Sequence, residues 1–129
     1  MLLNKGTLDG ARILKPETVD LVLANHIGDL EVGNLVSCNA AITYDAEFFP
    51  GMSKKHGLVS MINMEAARGM RAAMSHCWAG ALNTYFWFDP ENGIAGVVLM
   101  QSLPFCDPLC VDVLVAFEKA VCAGARKAA

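Results

Sequence analysis

Two apolar runs, Leu82–Phe88 and Ile94–Met100, flank the segment Asp89-Pro90-Glu91-Asn92-Gly93, and that arrangement leaves the chain few choices of fold. Proline presets φ for a turn and glycine accepts positive φ, so the segment reads as a hairpin connection. The first arm is aromatic and rich in strand formers. Its alternation puts Leu82, Thr84, Phe86 and Phe88 on one face, with Asn83, Tyr85 and Trp87 on the other. The second arm is apolar on both faces, as a central strand covered on both sides would be. Upstream, Arg71–Ala79 predicts a third strand, set off from the hairpin by Gly80, and Gly57–Met64 a fourth. The expectation is an α+β chain. Its antiparallel sheet has three to four strands, about 57–64, 71–79, 82–88 and 94–101, with helices at about 16–25 and 108–123 covering one face.

The helix signals are local. Pro16 suits a first helical position, and Glu17 lies near the positive end of the helix dipole. The helix to Asn25 carries Val19, Val22 and Leu23 inward, and Gly28 stops it. Asp107-Pro108 is a strong start for the last helix, with Asp as cap and Pro at the first position. There Cys110, Leu114, Phe117 and Val121 form the inward stripe and Asp112 and Lys119 the far face. Gly124 is expected to end it before a frayed basic tail. At the other end, Met1–Lys5 reads as a helical stub closed by Gly6, and Asp9-Gly10 as a turn. The stretch from Ile27 to Lys55 carries weak signals and predicts a long loop, with at most a short strand near Leu35–Ala41.

Composition narrows the function classes. At 129 residues the chain is long enough for one domain with its own core, here read as spanning 1–129. With 54% hydrophobic residues and a mean hydropathy of +0.38, it is more apolar than a monomer of this size requires. No apolar run reaches the ~20 residues of a membrane-spanning helix. The start breaks at Gly6, too soon for a signal peptide, so a cytoplasmic protein without a membrane partner is expected. The excess apolar surface predicts a homodimer or other homo-oligomer. A net charge of −3 without a basic stripe argues against nucleic acid. The five cysteines (38, 77, 106, 110, 122) and three histidines (26, 56, 76) show no metal-ligand spacing. The cysteines therefore read as reduced, buried small hydrophobes, and no metal or cofactor is expected.

The segments W-A-G-A-L-N-T-Y-F-W-F-D-P and L-P-F-C-D-P are similar to the C-terminal part of serine hydrolases with the class C β-lactamase and penicillin-binding-protein fold, nearest the carboxylesterases of that superfamily. M-L-L-N-K-G-T-L-D-G-A-R-I-L-K-P-E-T-V, E-F-F-P-G, H-G-L-V-S-M-I-N and A-F-E-K-A-V extend the resemblance along nearly the whole chain. It implies a partial β-lactamase/transpeptidase-like fold, corresponding to the last third of a hydrolase begun at an internal Met. The family's Ser-x-x-Lys and Tyr-x-Asn or Tyr-x-Ser motifs have no counterpart. Ser53-Lys54-Lys55-His56 ends in His, and Tyr44-Asp45-Ala46 in Ala.

By that resemblance Trp78 takes the place held by Lys in the β-lactamases, Ala79 the Thr place and Gly80 the third place of the motif. Ala81 then falls where a backbone N–H completes an oxyanion hole. Glycine lets an acyl group approach the backbone, and a strand N–H is a preorganised donor. Such a strand does not replace an activated nucleophile. Ser75 and His76 are adjacent on a strand and point to opposite faces, so no direct dyad forms. Ser53 and His56 are a conceivable loop pair. No catalytic residue is assigned. The chain is therefore read as a truncated, non-catalytic esterase-like domain; the alternatives are one half of a split serine esterase completed by an N-terminal hydrolase chain, and a small-molecule binding module using an aromatic cleft at Tyr85 and Trp87, beside Trp78.

Overall fold

The aromatic hairpin forms and seeds a larger sheet. The computed structural model describes residues 1–128. Strands β3 (Lys54–His56), β4 (Met61–Asn63), β5 (His76–Gly80), β6 (Thr84–Asp89) and β7 (Ile94–Val98) make a five-stranded antiparallel sheet in sequence order. A separate two-stranded ribbon, β1 (Thr7–Leu8) and β2 (Ala11–Arg12), turns at Asp9-Gly10, both at positive φ. Helix α1 spans Pro16–Leu23 and α2 spans Pro108–Ala128. The α+β class holds, with one strand more in the main sheet than expected and an extra ribbon.

Local chemistry explains the elements that form where the sequence places them. Asp89 is fully buried at the end of β6; its carboxylate accepts from the Asn92 backbone N–H at 3.1 Å and the Asn92 side chain at 2.6 Å. Gly93, at φ 66°, closes the loop into β7. Asp107 caps α2 by accepting the Leu109 N–H at 2.9 Å, with Pro108 at the first helical position.

The core lies between the sheet and α2. Register pairs Met61 with Cys77 and Cys77 with Trp87, and these three pack with Cys122 of α2. Gly96 lies opposite Trp87 on β7, where an added Cβ would stand 2.6 Å from the indole ring. Only glycine lets the indole lie across that strand.

Several expectations need correction. The third strand begins at His76, not Arg71, because Met74 is at positive φ and the Ala72 N–H turns to donate to Asp89. Leu82 and Asn83 belong to a tight β5–β6 turn, with Asn83 at φ 58°. β3 lies in the segment read as loop, while Leu35 makes only an isolated bridge to Ala46. α2 packs on the sheet; α1 joins the β3–β4 turn, where the Leu58 N–H donates to the Val22 carbonyl at 3.0 Å. Phe117 is 38% exposed, and Glu118, at 3%, faces inward in its place. Glycine does not end α2 at Gly124; the helix runs on through Ala128, and the last residue of the expected tail lies outside the described residues. Cys38 is exposed, whereas Cys77 and Cys122 are buried.

Candidate functional site

Strand β5 is paired on both sides for only half its length. The ladder from β4 stops at Met61 opposite Cys77, while β6 continues alongside to Gly80. Along Trp78–Gly80, therefore, no described strand covers the second edge of β5. Trp78, Ala79 and Gly80 are half-exposed and Ala81 is exposed in the following turn, whereas His76 and Cys77 are buried. An extended or planar group can approach backbone polar groups at such an edge.

The side chains around this edge are held in place. Trp78 meets His56 edge-on, with ring centroids 4.9 Å apart. A Cβ at Gly80 would stand 2.5 Å from Thr84 Oγ1, so a larger residue in the third place of the W-A-G triad would make the Thr84 hydroxyl rotate away. Asn83 ties the β5–β6 turn to the segment after β7, donating to the Ser102 carbonyl at 2.9 Å and the Pro104 carbonyl at 2.8 Å. The Tyr85 hydroxyl donates to Asn83 Oδ1 at 2.8 Å. Burial, with Cys106 beside it, holds that phenol well above its usual range, so Tyr85 stays protonated as a structural donor.

Two hollows flank these residues, and Tyr85 and Phe86 line both. Tyr85, Trp87 and Trp78 line a cavity of about 390 Å³ beneath α2. Ala79 and Gly80 border a second groove with Thr84, Tyr85, Phe86, Val97 and Leu99.

Neither serine–histidine pair considered from the sequence forms. Ser53 Oγ donates to the Glu31 carboxylate at 3.0 Å, and His56 Nδ1 contacts the Gly57 carbonyl at 2.6 Å. Ser75 is fully buried, and its hydroxyl has no hydrogen-bond partner. The histidine beside it bonds elsewhere: His76 Nδ1 lies 2.9 Å from Ser60 Oγ. Sixteen residues separate the two, so no local pattern announced the contact. Burial, then the Arg71 charge, pushes the His76 imidazole down to about 4, leaving a neutral ring that can accept the Ser60 proton. However, Ser60 is 0% and His76 3% exposed, and the imidazole is stacked on Phe88 at 4.7 Å. A substrate cannot reach this pair. Among the described residues, no group of three or more His, Cys, Asp or Glu side chains could hold a metal ion.

Comparison with known proteins places this geometry. The chain aligns over 98% of its length with a simvastatin synthase (LovD6 mutant) from Aspergillus terreus, at a TM-score of 0.71 and 24% identity. With the unliganded selenomethionyl enzyme of that fungus it shares a TM-score of 0.73 and 22% identity over 95% of the chain. Those structures show the fold alone, and the chain matches a C-terminal part of the serine β-lactamase and penicillin-binding-protein-like fold. An ML-236A carboxylate methylbutanoyltransferase, mlcH of Penicillium citrinum, is 30% identical over 114 residues, or 84% of this chain. The chain spans 27% of that relative and 31% of either solved structure. No protein-family profile matches the sequence. Among the described residues no helix is long and apolar enough to cross a membrane.

Proposed function

We propose that this chain supplies the acyl-facing strand of a serine acyl-transfer or esterase site and does not turn over acyl substrates by itself. The observation that carries this reading is the half-paired β5. Its open edge begins at Trp78, where the resemblance puts the substrate-lining triad, and it ends at Gly80 and Ala81. Backbone N–H groups fixed on such an edge suit a developing oxyanion. The acyl-transfer half of the reading comes from the mlcH relative, whose name states methylbutanoyl transfer. What the chain lacks is equally specific. It contains no Ser-x-x-Lys, and among the described residues its one Ser–His hydrogen bond is sealed in the core.

A nucleophile must then come from another segment, on the same polypeptide or on a second one. Incubating the chain with p-nitrophenyl butyrate alone, and again with mlcH from which the matching segment has been deleted, tests this. Turnover only in the mixture supports the proposal. Turnover by the chain alone sinks it.

The open surfaces suit such assembly, with a second copy as the simplest partner. β7 pairs only with β6, and Val97 and Leu99 beside its free edge are 58% and 78% exposed. Unpaired apolar edges favour strand addition. Sedimentation equilibrium at micromolar concentration is expected to give a dimer, and a stable 13.8 kDa monomer would contradict it.

A further inference from the structure

We propose that the flank of α2 above the free β7 edge is a docking surface for a second copy of this chain, so that the two sheets join edge to edge and the two α2 helices lie side by side. This rests on the assembly through β7 proposed above and adds to it the helix contact and the symmetry. α2 lies against β7, the last strand of the sheet. Its buried Glu118 and Cys122 mark the inward side. At about 100° per residue, Val115 falls on one flank of that side. Cys110, Val113, Phe117 and Val121 fall on the other. Val115 lines the cavity whose strand residues come from β5 and β6. The second flank therefore faces the open edge of β7, and there Val113 is 53% exposed and Phe117 only partly covered.

What fits this surface is its own image. A two-fold axis normal to the sheet sets β7 antiparallel to the β7 of its partner and keeps both helices on one face. Edge then meets edge and stripe meets stripe. Identical residues approach one another across such an axis, so a charged surface would repel its copy. This one carries no charge: Cys110, Val113, Phe117 and Val121 are all neutral, and Asp112 and Lys119 lie on the cavity side of the helix. The run Ile94–Met100 likewise has neither a charged residue nor a proline, the features that guard exposed strand edges against pairing. The two surfaces also match in length. From Cys110 to Val121 the stripe runs about 17 Å, and a five-residue strand such as β7 spans about the same.

The test compares the chain with Val113→Glu and with Leu30→Glu, a control on the exposed loop before β3, by sedimentation equilibrium. Val113→Glu is expected to weaken the dimer by about tenfold or more, and Leu30→Glu to leave it unchanged. Iodoacetamide labelling of the unaltered chain decides if Val113→Glu fails to fold. As the dimer forms, half-buried Cys110 should react more slowly while exposed Cys38 keeps its rate. A dimer indifferent to folded Val113→Glu, or a Cys110 rate independent of association, would overturn the helix contact and leave the edge pairing standing. A chain that stays monomeric overturns both. If that monomer binds mlcH lacking the matching segment, and Val113→Glu abolishes the binding, the surface belongs to the rest of a hydrolase and not to a second copy.

Discussion

The two halves of β5 lead different lives. His76 and Cys77 are buried at 3% and 6% exposure, paired on both sides and roofed by α2 or stacked on Phe88. Two residues later, Trp78–Gly80 keeps one partner strand and meets solvent. The same backbone thus serves as core at one end and as an approachable edge at the other. The change comes from the shortness of β4, not from any change in the strand's own composition. It teaches where substitutions should act: on folding at the closed half, on acyl chemistry at the open half.

The closed half can be broken hardest at Trp87, opposite Cys77 and 1% exposed. Trp87→Ala is expected to lower the unfolding free energy by about 3–5 kcal/mol in urea titration, or to prevent folding. A loss below about 1 kcal/mol would show that the cluster does not hold the sheet to α2.

Acid probes the same half through His76. Its folded pKa, about 4, lies below the ordinary 6.5, so the folded state resists protonation. Stability from this group is complete above the ordinary value and is lost as pH falls from there toward 4. The full loss is on the order of 3 kcal/mol. Glu118 slopes the other way, because burial raises its pKa despite Arg71, and its contribution weakens as pH rises. Comparing the chain with His76→Gln isolates the histidine: the difference in stability should shrink on acidification, and a constant difference would contradict the assignment.

At Gly96 the expected effect is smaller. A methyl group there must displace the Trp87 ring from 2.6 Å, so Gly96→Ala should cost about 1–3 kcal/mol by thermal or urea unfolding. The open half should barely respond: Ala81→Ser is expected to change stability by less than about 0.5 kcal/mol. A larger loss would mean that the exposed turn carries structure the comparison assigns elsewhere.

The same division governs what the sequence revealed. Turn and cap codes act over a few residues, so Asp89–Gly93, Asp9-Gly10 and Asp107-Pro108 were legible. β3 was not: Lys54-Lys55-His56 has no apolar alternation. Its strand state depends on pairing with β4 and on Lys55 meeting Glu31 at 2.9 Å, contacts made across the fold. The inward face of α2 was partly misread because Arg71, far away in sequence, draws the buried Glu118 toward the core. At the candidate site, the W-A-G triad was visible by resemblance, but the ending of β4 opposite Cys77 was not. Neither was the Ser60–His76 contact, for the same long-range reason.

Covalent labelling tests the central claim most directly, since the claim is that an approachable edge is present without a nucleophile of its own. The chain alone is treated with an alkyl fluorophosphonate at neutral pH and analysed by mass spectrometry. The expected result is no serine adduct above that of the denatured chain. A stoichiometric adduct on Ser53, Ser60 or Ser75 would show an activated nucleophile within these residues and contradict the account.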